Sequence, residues 1–283
     1  MTLPAAGPNA EMIRYWNETV GPRWIEMEAQ LDAQIAPLGL AALARAHPQP
    51  GERALDVGCG CGQTSLQLAD RIGKSGGVLG IDVSAPMLAR AKARAAGVSQ
   101  VRFLNGDAQT HAFDERFDLV FSRFGVMFFA DPPAAFANLH RALRPGGRVT
   151  FVCWQAIDRN PWMLIPLRSL VGIVELPAPP PPGAPGPFAF ADPARVNAIL
   201  AAGGFRDAAL EPLAGELAIG AGGDLEHAVS FALQMGPAGA ALREANEETR
   251  RRAAEAVRKA LAPLVTPRGV VAPYSAWIAT ARA

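Results

Sequence analysis

The residues most able to do chemistry lie in one stretch, Ala54-Leu55-Asp56-Val57-Gly58-Cys59-Gly60-Cys61-Gly62-Gln63-Thr64, where an apolar run gives way to alternating glycines. Without a Cβ, Gly58 can take a positive φ at a turn, Gly60 lets a ligand lie against the backbone, and Gly62 permits close approach where a helix begins. The start of that helix presents free amides to an anionic group. Dinucleotide loops are spaced G-x-G-x-x-G, which would need a glycine at position 63, where this chain has Gln63. The spacing here is D-x-G-x-G-x-G, and a carboxylate at Asp56 repels a pyrophosphate but favours an ammonium group. The ligand expected is therefore a nucleoside carrying an amino acid. Asp82, in Gly80-Ile81-Asp82-Val83, offers two carboxylate oxygens to a pair of ribose hydroxyls. Asp107, in Asn105-Gly106-Asp107-Ala108, offers a carboxylate to an exocyclic adenine amine and a neighbouring backbone amide to a ring nitrogen. A single acid at a strand end reads as a cap; three, after three successive strands, are harder to explain that way.

These positions need a scaffold that aligns the carboxyl ends of its strands. Short apolar runs at 54–57, 78–82, 101–104, 117–122 and 148–154 read as strands, and helical stretches at 63–72, 85–96 and 132–143 lie between them. Ser84 is the expected N-cap of the second helix. Strand and helix in alternation demand a parallel, doubly wound sheet. Ahead of it, Ile13, Trp16 and Val20, then Trp24, Met27, Leu31 and Ile35, repeat at helical spacing on either side of Gly21-Pro22, and Pro37 is expected to open a third helix. The proline-rich segment 177–187 reads as a solvent-exposed loop in polyproline conformation. Asp192-Pro193 caps a further helix, and two strand-like segments, 208–219 and 270–281, flank a helical insertion at 225–264. In that insertion Glu247 and Glu248 precede Arg251 and Arg252 by four residues, a solvated charged face. The expected division is a helical lid at 1–50, a core at 51–223, a helical cap at 224–265 and a last core strand at 266–283.

With 283 residues, half of them apolar, the chain can bury a sizeable core and is not disordered. Lys and Arg number 27 against 26 Asp and Glu, which leaves no general field for a nucleic acid or an anionic lipid surface. There is no signal-peptide pattern and no run of 18 uncharged apolar residues, so no membrane span is expected. Cys59, Cys61 and Cys153 are odd in number, and the first two are too close for the usual redox or zinc spacing. A reducing, cytoplasmic setting without a metal site fits, as monomer or homodimer.

Taken with Phe117-Asp118-Leu119-Val120-Phe121-Ser122 and Leu143-Arg144-Pro145-Gly146-Gly147, the motifs above resemble the class I S-adenosylmethionine-dependent methyltransferases, in particular the group similar to ubiquinone and menaquinone biosynthesis enzymes. The resemblance implies an α/β fold, a doubly wound, mostly parallel seven-stranded sheet with one antiparallel strand, here 270–281. It also implies S-adenosylmethionine as methyl donor and S-adenosylhomocysteine as product. The glycine loop would hold the methionine part through Asp56, Gly58, Cys59, Gly60 and Gly62, with Gln63 and Thr64 at the helix start. Asp82, with Val83 and Met87, would serve the ribose, and Asp107 and Ala108 the adenine. Ser122 and Arg123 would complete the donor site from the fourth strand.

Direct displacement at the methyl carbon needs alignment of the acceptor, worth on the order of 7 kcal/mol or more. A base is optional, and His111 and His227 are the weak candidates. His47 and His140 read as surface residues. Tyr15, Trp16, Trp24, Phe124, Phe128, Trp154 and Trp162 are expected to line an acceptor pocket, together with Met127 and Phe129, for a small aromatic or lipophilic molecule accepting at O, N or C. Two alternatives stand beside this reading. One is a protein that binds the sulfonium without transferring its methyl group, and the other, less favoured, is a NAD-dependent oxidoreductase.

Overall fold

A computed structural model describes residues 3–178, 180–181 and 183–283. The strands are β1 (Arg53–Val57), β2 (Gly77–Asp82), β3 (Val101–Asn105), β4 (Phe117–Arg123), β5 (Leu143–Trp154), β6 (Arg206–Ala218), the short β7 (Val265–Thr266) and β8 (Gly269–Arg282). They form one sheet in the order β3-β2-β1-β4-β5-β8-β6, with β7 paired to β8 beside this path. All pairings among β1 to β5 are parallel. β8 inserts antiparallel between β5 and β6, so it is an inner strand of the seven on the main path.

The order reverses between β1 and β4, so right-handed crossovers must place their helices on opposite faces. The helices are α1 (Ala10–Arg14), α2 (Val20–Glu26), α3 (Glu28–Ala46), α4 (Gln63–Ile72), α5 (Ala85–Arg94), α6 (Pro132–Ala142), α7 (Pro161–Ser169), α8 (Pro193–Ala202), α9 (Leu225–Gln234), α10 (Gly236–Ala241) and α11 (Glu247–Leu261). A π-helical turn, Tyr15–Thr19, joins α1 to α2. α3 lies against β4 and β5, whereas α6 packs with α8. The core between the layers is apolar and includes Leu55, Phe121, Phe136 and Phe151, all shielded from solvent.

Several local expectations are corrected. Pro37 does not open a helix but lies inside α3, where neighbouring Leu38, Ala42 and Leu43 are wholly buried, and packing against the sheet outweighs the missing amide bond. Buried residues of α3 are part of the apolar core, and the helix packs on β4 and β5. Of the Glu247/Glu248 and Arg251/Arg252 pairs, the ion pair formed is Glu248–Arg251 at 2.8 Å, three residues apart. In the proline-rich segment, Pro179 and Pro182 lie outside the described residues, as do Met1 and Thr2 of the expected lid. The rest of that segment is not solvent-exposed throughout: residues 183–186 are half-buried, the Gly186 amide donates to the Met127 carbonyl at 3.0 Å, and Phe190 just beyond is fully buried. Among the described residues no helix is long and apolar enough to cross a membrane.

Candidate functional site

The glycine turn after β1 is fixed by sterics on one side and hydrogen bonds on the other. Gly58 has φ +67°, and a Cβ there would fall 2.7 Å from the Gly125 Cα, so no side chain fits without moving backbone. Gly62, φ +85°, begins α4 against Ala91 and Phe103, where a Cβ would come within 3.0 and 3.1 Å of their side chains. The Gly58 and Cys59 amides donate to the Ile81 carbonyl at 2.9 and 3.2 Å. Asp82, at the end of β2, joins the turn to the start of α5: its carboxylate accepts the Gly60 amide at 2.8 Å and the Ser84 amide at 2.8 Å. Burial raises the Asp82 pKa, and these amides pull it back.

Asp56 lies beneath the turn, fully buried. One of its oxygens accepts the Thr64 and Ser65 hydroxyls, each at 2.6 Å, while Oδ1 has no partner. Burial pushes its pKa up to about 6, against the pull of those hydroxyls and of Arg123. The thiols of Cys59 and Cys61 are also pushed up by burial, that of Cys61 to about 12, so both stay neutral and act as small packing groups.

Asp107, beyond β3, receives the side-chain amide of Asn9 on both oxygens, at 2.9 and 2.9 Å, and the Gln109 amide at 2.9 Å. Asn9 in turn accepts the Ala130 amide at 2.7 Å, so it is clamped between two loops. The N-terminal segment is bonded to the strand ends at further points. The Leu3 amide donates to Asn105 at 2.8 Å, the Ser84 hydroxyl to the Trp16 carbonyl at 2.9 Å, and Asn17 to the Val83 carbonyl at 2.9 Å.

A cavity of about 220 Å³ opens between these groups and the helices above them. At one end it is lined by the turn with Asp82, Val83 and Met87, and by Asp107 and Ala108 with Asn9. At the other it is lined by aromatic rings. Phe124, held at a left-handed φ of +61°, stacks on Trp154 with centroids 4.2 Å apart, and Trp162 lies 5.4 Å from Trp154. Trp16 meets Phe128 edge-on at 5.1 Å and Trp24 at 5.8 Å. Met163 on α7, and Phe231 and Met235 around the end of α9, close this end. Between the two ends lies Arg123, its side chain 9% exposed, paired with Asp32 at 3.0 Å and donating to Gln63. Asp32 also accepts from Arg94 at 2.7 Å, which ties α3 to α5.

Of the donor-site positions expected from sequence, Gly58, Cys59, Gly60, Thr64, Asp82, Val83, Met87, Asp107, Ala108 and Arg123 line this cavity. Asp56, Gly62, Gln63 and Ser122 stand behind the wall, where Ser122 donates to the Val57 carbonyl at 2.8 Å and takes the Gly125 amide at 3.2 Å. Trp16, Trp24, Phe124, Phe128, Trp154 and Trp162 line it as well. Tyr15 does not, because adjacent helical residues point in different directions: its ring faces Arg243, whose guanidinium carbon is 5.8 Å from the ring centroid. Neither histidine named as a weak base reaches the cavity. His111 packs edge-on against Phe113, and the His227 ring is bonded to the Gly220 carbonyl at 3.0 Å. Asn9, Asp32 and Gln34 line it without having been singled out by sequence.

Residues 54–147 match the model of a methyltransferase domain. Aklanonic acid methyltransferase of a Streptomyces species is 36% identical over 120 residues, 41% of this chain and 54% of that protein. Demethylmenaquinone methyltransferase of Staphylococcus epidermidis is 37% identical over 102 residues, 36% of this chain and 42% of that protein. The chain thus spans about half the length of these curated relatives. A structure of Haemonchus contortus phosphoethanolamine N-methyltransferase 2, solved with phosphomonomethylethanolamine and S-adenosylhomocysteine, matches 87% of this chain and 52% of its own. Its TM-score is 0.52 at 20% identity, a likeness of fold. Residues 54–147 thus match a methyltransferase-domain model, and they sit in a sheet whose fold is like that of this solved methyltransferase.

Proposed function

We propose that the protein moves a methyl group from S-adenosylmethionine to an oxygen, nitrogen or carbon atom of a small aromatic or lipophilic acceptor. The observation that carries this reading is one cavity with two chemically distinct ends, a glycine turn with acids and an aromatic chamber. The residues present fit the donor. The orphaned Oδ1 of Asp56 is a buried anionic atom in need of a hydrogen-bond donor or a positive charge, which an ammonium group, directly or through water, supplies. The Asp82 oxygens each carry a lone pair beyond those given to the Gly60 and Ser84 amides, suited to ribose hydroxyls. Asp107 already accepts an NH2 group, that of Asn9, which is the donor type an adenine amine would present.

When bound, S-adenosylmethionine supplies an electrophilic methyl group on a positively charged sulfur. The chain's own contribution is positional. The turn, locked by Gly58 packing on Gly125 and by Asp82, fixes one end of the reaction line. The stacked Phe124 and Trp154, with Trp16, Trp24 and Phe128, orient a flat acceptor and exclude water from the other end. Arg123 is neutralised by Asp32, so it tethers α3 to β4 without repelling a cationic donor. The acids that line the cavity are already hydrogen-bonded, and the nucleophile's proton therefore leaves with the acceptor's own acidity or through solvent.

The test is incubation of the pure protein with methyl-labelled donor and a panel of quinols, phenols and aromatic acids, read by mass spectrometry. Label in one or more of these acceptors is expected. Donor binding with no label in any of them would favour a protein that uses the sulfonium without transferring its methyl group.

A further inference from the structure

The carboxylate that an adenine amine would need is already full. Two carboxylate oxygens offer about four lone-pair sites. On Asp107, Oδ1 accepts the Asn9 side-chain NH2 at 2.9 Å and the Gln109 amide at 2.9 Å, while Oδ2 accepts the same NH2 at 2.9 Å and the Thr110 hydroxyl at 3.5 Å. Gln109 and Thr110 follow Asp107 in its own loop and travel with it. Asn9 comes from a distant segment, and its NH2 carries two hydrogens, as does the 6-amino group of an adenine. Asn9 is 3% exposed, and it lines the cavity together with Asp107.

Asn9 has a second place to bond. It stands at the N-cap of α1, a position that asparagine favours strongly, yet no side-chain cap bond forms there among the described residues. The first turn of a helix leaves amides that such a side chain satisfies. The Asn9 oxygen accepts the Ala130 amide at 2.7 Å. Turning the side chain toward α1 therefore exchanges the Ala130 bond for a cap bond, and it frees one site on each oxygen of Asp107.

Resting on the methyltransferase reading, we propose that Asn9 is a built-in competitor for the adenine amine: it holds the seat of that amine on Asp107, and the donor binds by displacing it toward the N-cap of α1. Asn9 thereby sets how much the 6-amino group contributes to donor affinity. With Asn9 in place, the charge-assisted bond that the amine gains is set against the one that Asn9 gives up, and the two nearly cancel. Without Asn9 the amine meets an open carboxylate and keeps the whole of its bond.

The experiment is calorimetry on the full chain with two probes, S-adenosylhomocysteine and its analogue bearing hydrogen in place of the 6-amino group. Each is titrated into the unmodified protein and into Asn9→Ser, which keeps a capping side chain at the start of α1 but has no NH2 to give Asp107. The amino group is expected to change affinity by less than about threefold in the unmodified protein and by at least about tenfold in Asn9→Ser, the worth of a hydrogen bond to a charged group. General loosening of the N-terminal segment in the variant would weaken both probes together and leave their ratio unchanged, so the ratio reads the competition separately from the fold. A ratio that is the same in both proteins, or smaller in Asn9→Ser, would mean that Asn9 only supports Asp107 and would overturn the proposal. Failure of S-adenosylhomocysteine itself to bind the unmodified protein would instead defeat the methyltransferase reading, so the two failures are distinct.

Discussion

Asp56→Asn separates what the buried carboxylate costs the fold from what it does for the ligand. The wild-type carboxyl is raised from its ordinary 3.8 to about 6, chiefly by burial. That difference corresponds to about 3 kcal/mol between the protonation states. Between those two values the folded protein holds a proton that the unfolded chain has released, so this group's contribution is fully present below pH 3.8 and is lost as pH rises through about 6. In the variant, the amide oxygen can still accept the Thr64 and Ser65 hydroxyls, and the NH2 takes the place of the unpartnered Oδ1. A bare NH2 costs about 1–3 kcal/mol, but that cost is the same at every pH. Melting curves of both proteins at about pH 4 and pH 7.5 should therefore show the variant gaining on the wild type by about 2.5 kcal/mol as pH rises. For a chain of this size that is a relative shift of about 5–10 °C. Other carboxylates titrate alike in both proteins and cancel. At pH 7.5 the variant should also bind S-adenosylhomocysteine at least tenfold more weakly, for want of the negative charge that the buried carboxylate holds behind the turn. A difference in melting temperature that stays constant with pH, or one that moves against the variant as pH rises, would refute the reasoning about Asp56.

Three further outcomes are expected. Gly58→Ala should abolish S-adenosylhomocysteine binding, because its Cβ would stand 2.7 Å from Gly125 at a φ of +67°; calorimetry showing wild-type affinity would contradict the rigid turn. Arg123→Met should cost about 3 kcal/mol in urea unfolding, since it strips a buried partner from Asp32, and a loss below about 1 kcal/mol would mean that Arg94 alone satisfies that carboxylate. In hydrogen exchange, S-adenosylhomocysteine should protect the amides of the Tyr15–Thr19 turn, which is bonded to Val83 and Ala85 beside the donor end; equal exchange with and without it would make that turn fixed structure.

The parts of this molecule that were legible in its sequence are those governed by local rules. Glycine spacing between Gly58 and Gly62 follows from backbone sterics, and the acids at Asp82 and Asp107 follow from where parallel strands end. The parts that were not legible depend on contacts between distant segments. Asn9 stands ahead of a five-residue helix with no local signal, and its role as partner of Asp107 exists only because the N-terminal segment crosses the ends of β2 and β3. Asp32 and Gln34 read as polar positions on an amphipathic helix, yet both are buried, one by Arg94 and Arg123 and the other by Gly220. The one available signal was composition: polar residues interrupting the apolar stripe Leu31 to Ile35 need partners if the stripe faces a core. Pro37 misled for the opposite reason, since a local helix breaker was overruled by tertiary packing of α3. His227 was attractive by position, but its ring is spent on a carbonyl at the base of the cap.

The central claim is that the cavity beneath the N-terminal segment is built for a nucleoside bearing an amino acid. Titration calorimetry of the pure protein with S-adenosylhomocysteine, and separately with NAD, tests it most directly. Saturable micromolar or tighter binding of S-adenosylhomocysteine, with one ligand per chain, and no measurable heat with NAD are expected. Micromolar binding of NAD, with none of S-adenosylhomocysteine, would contradict it.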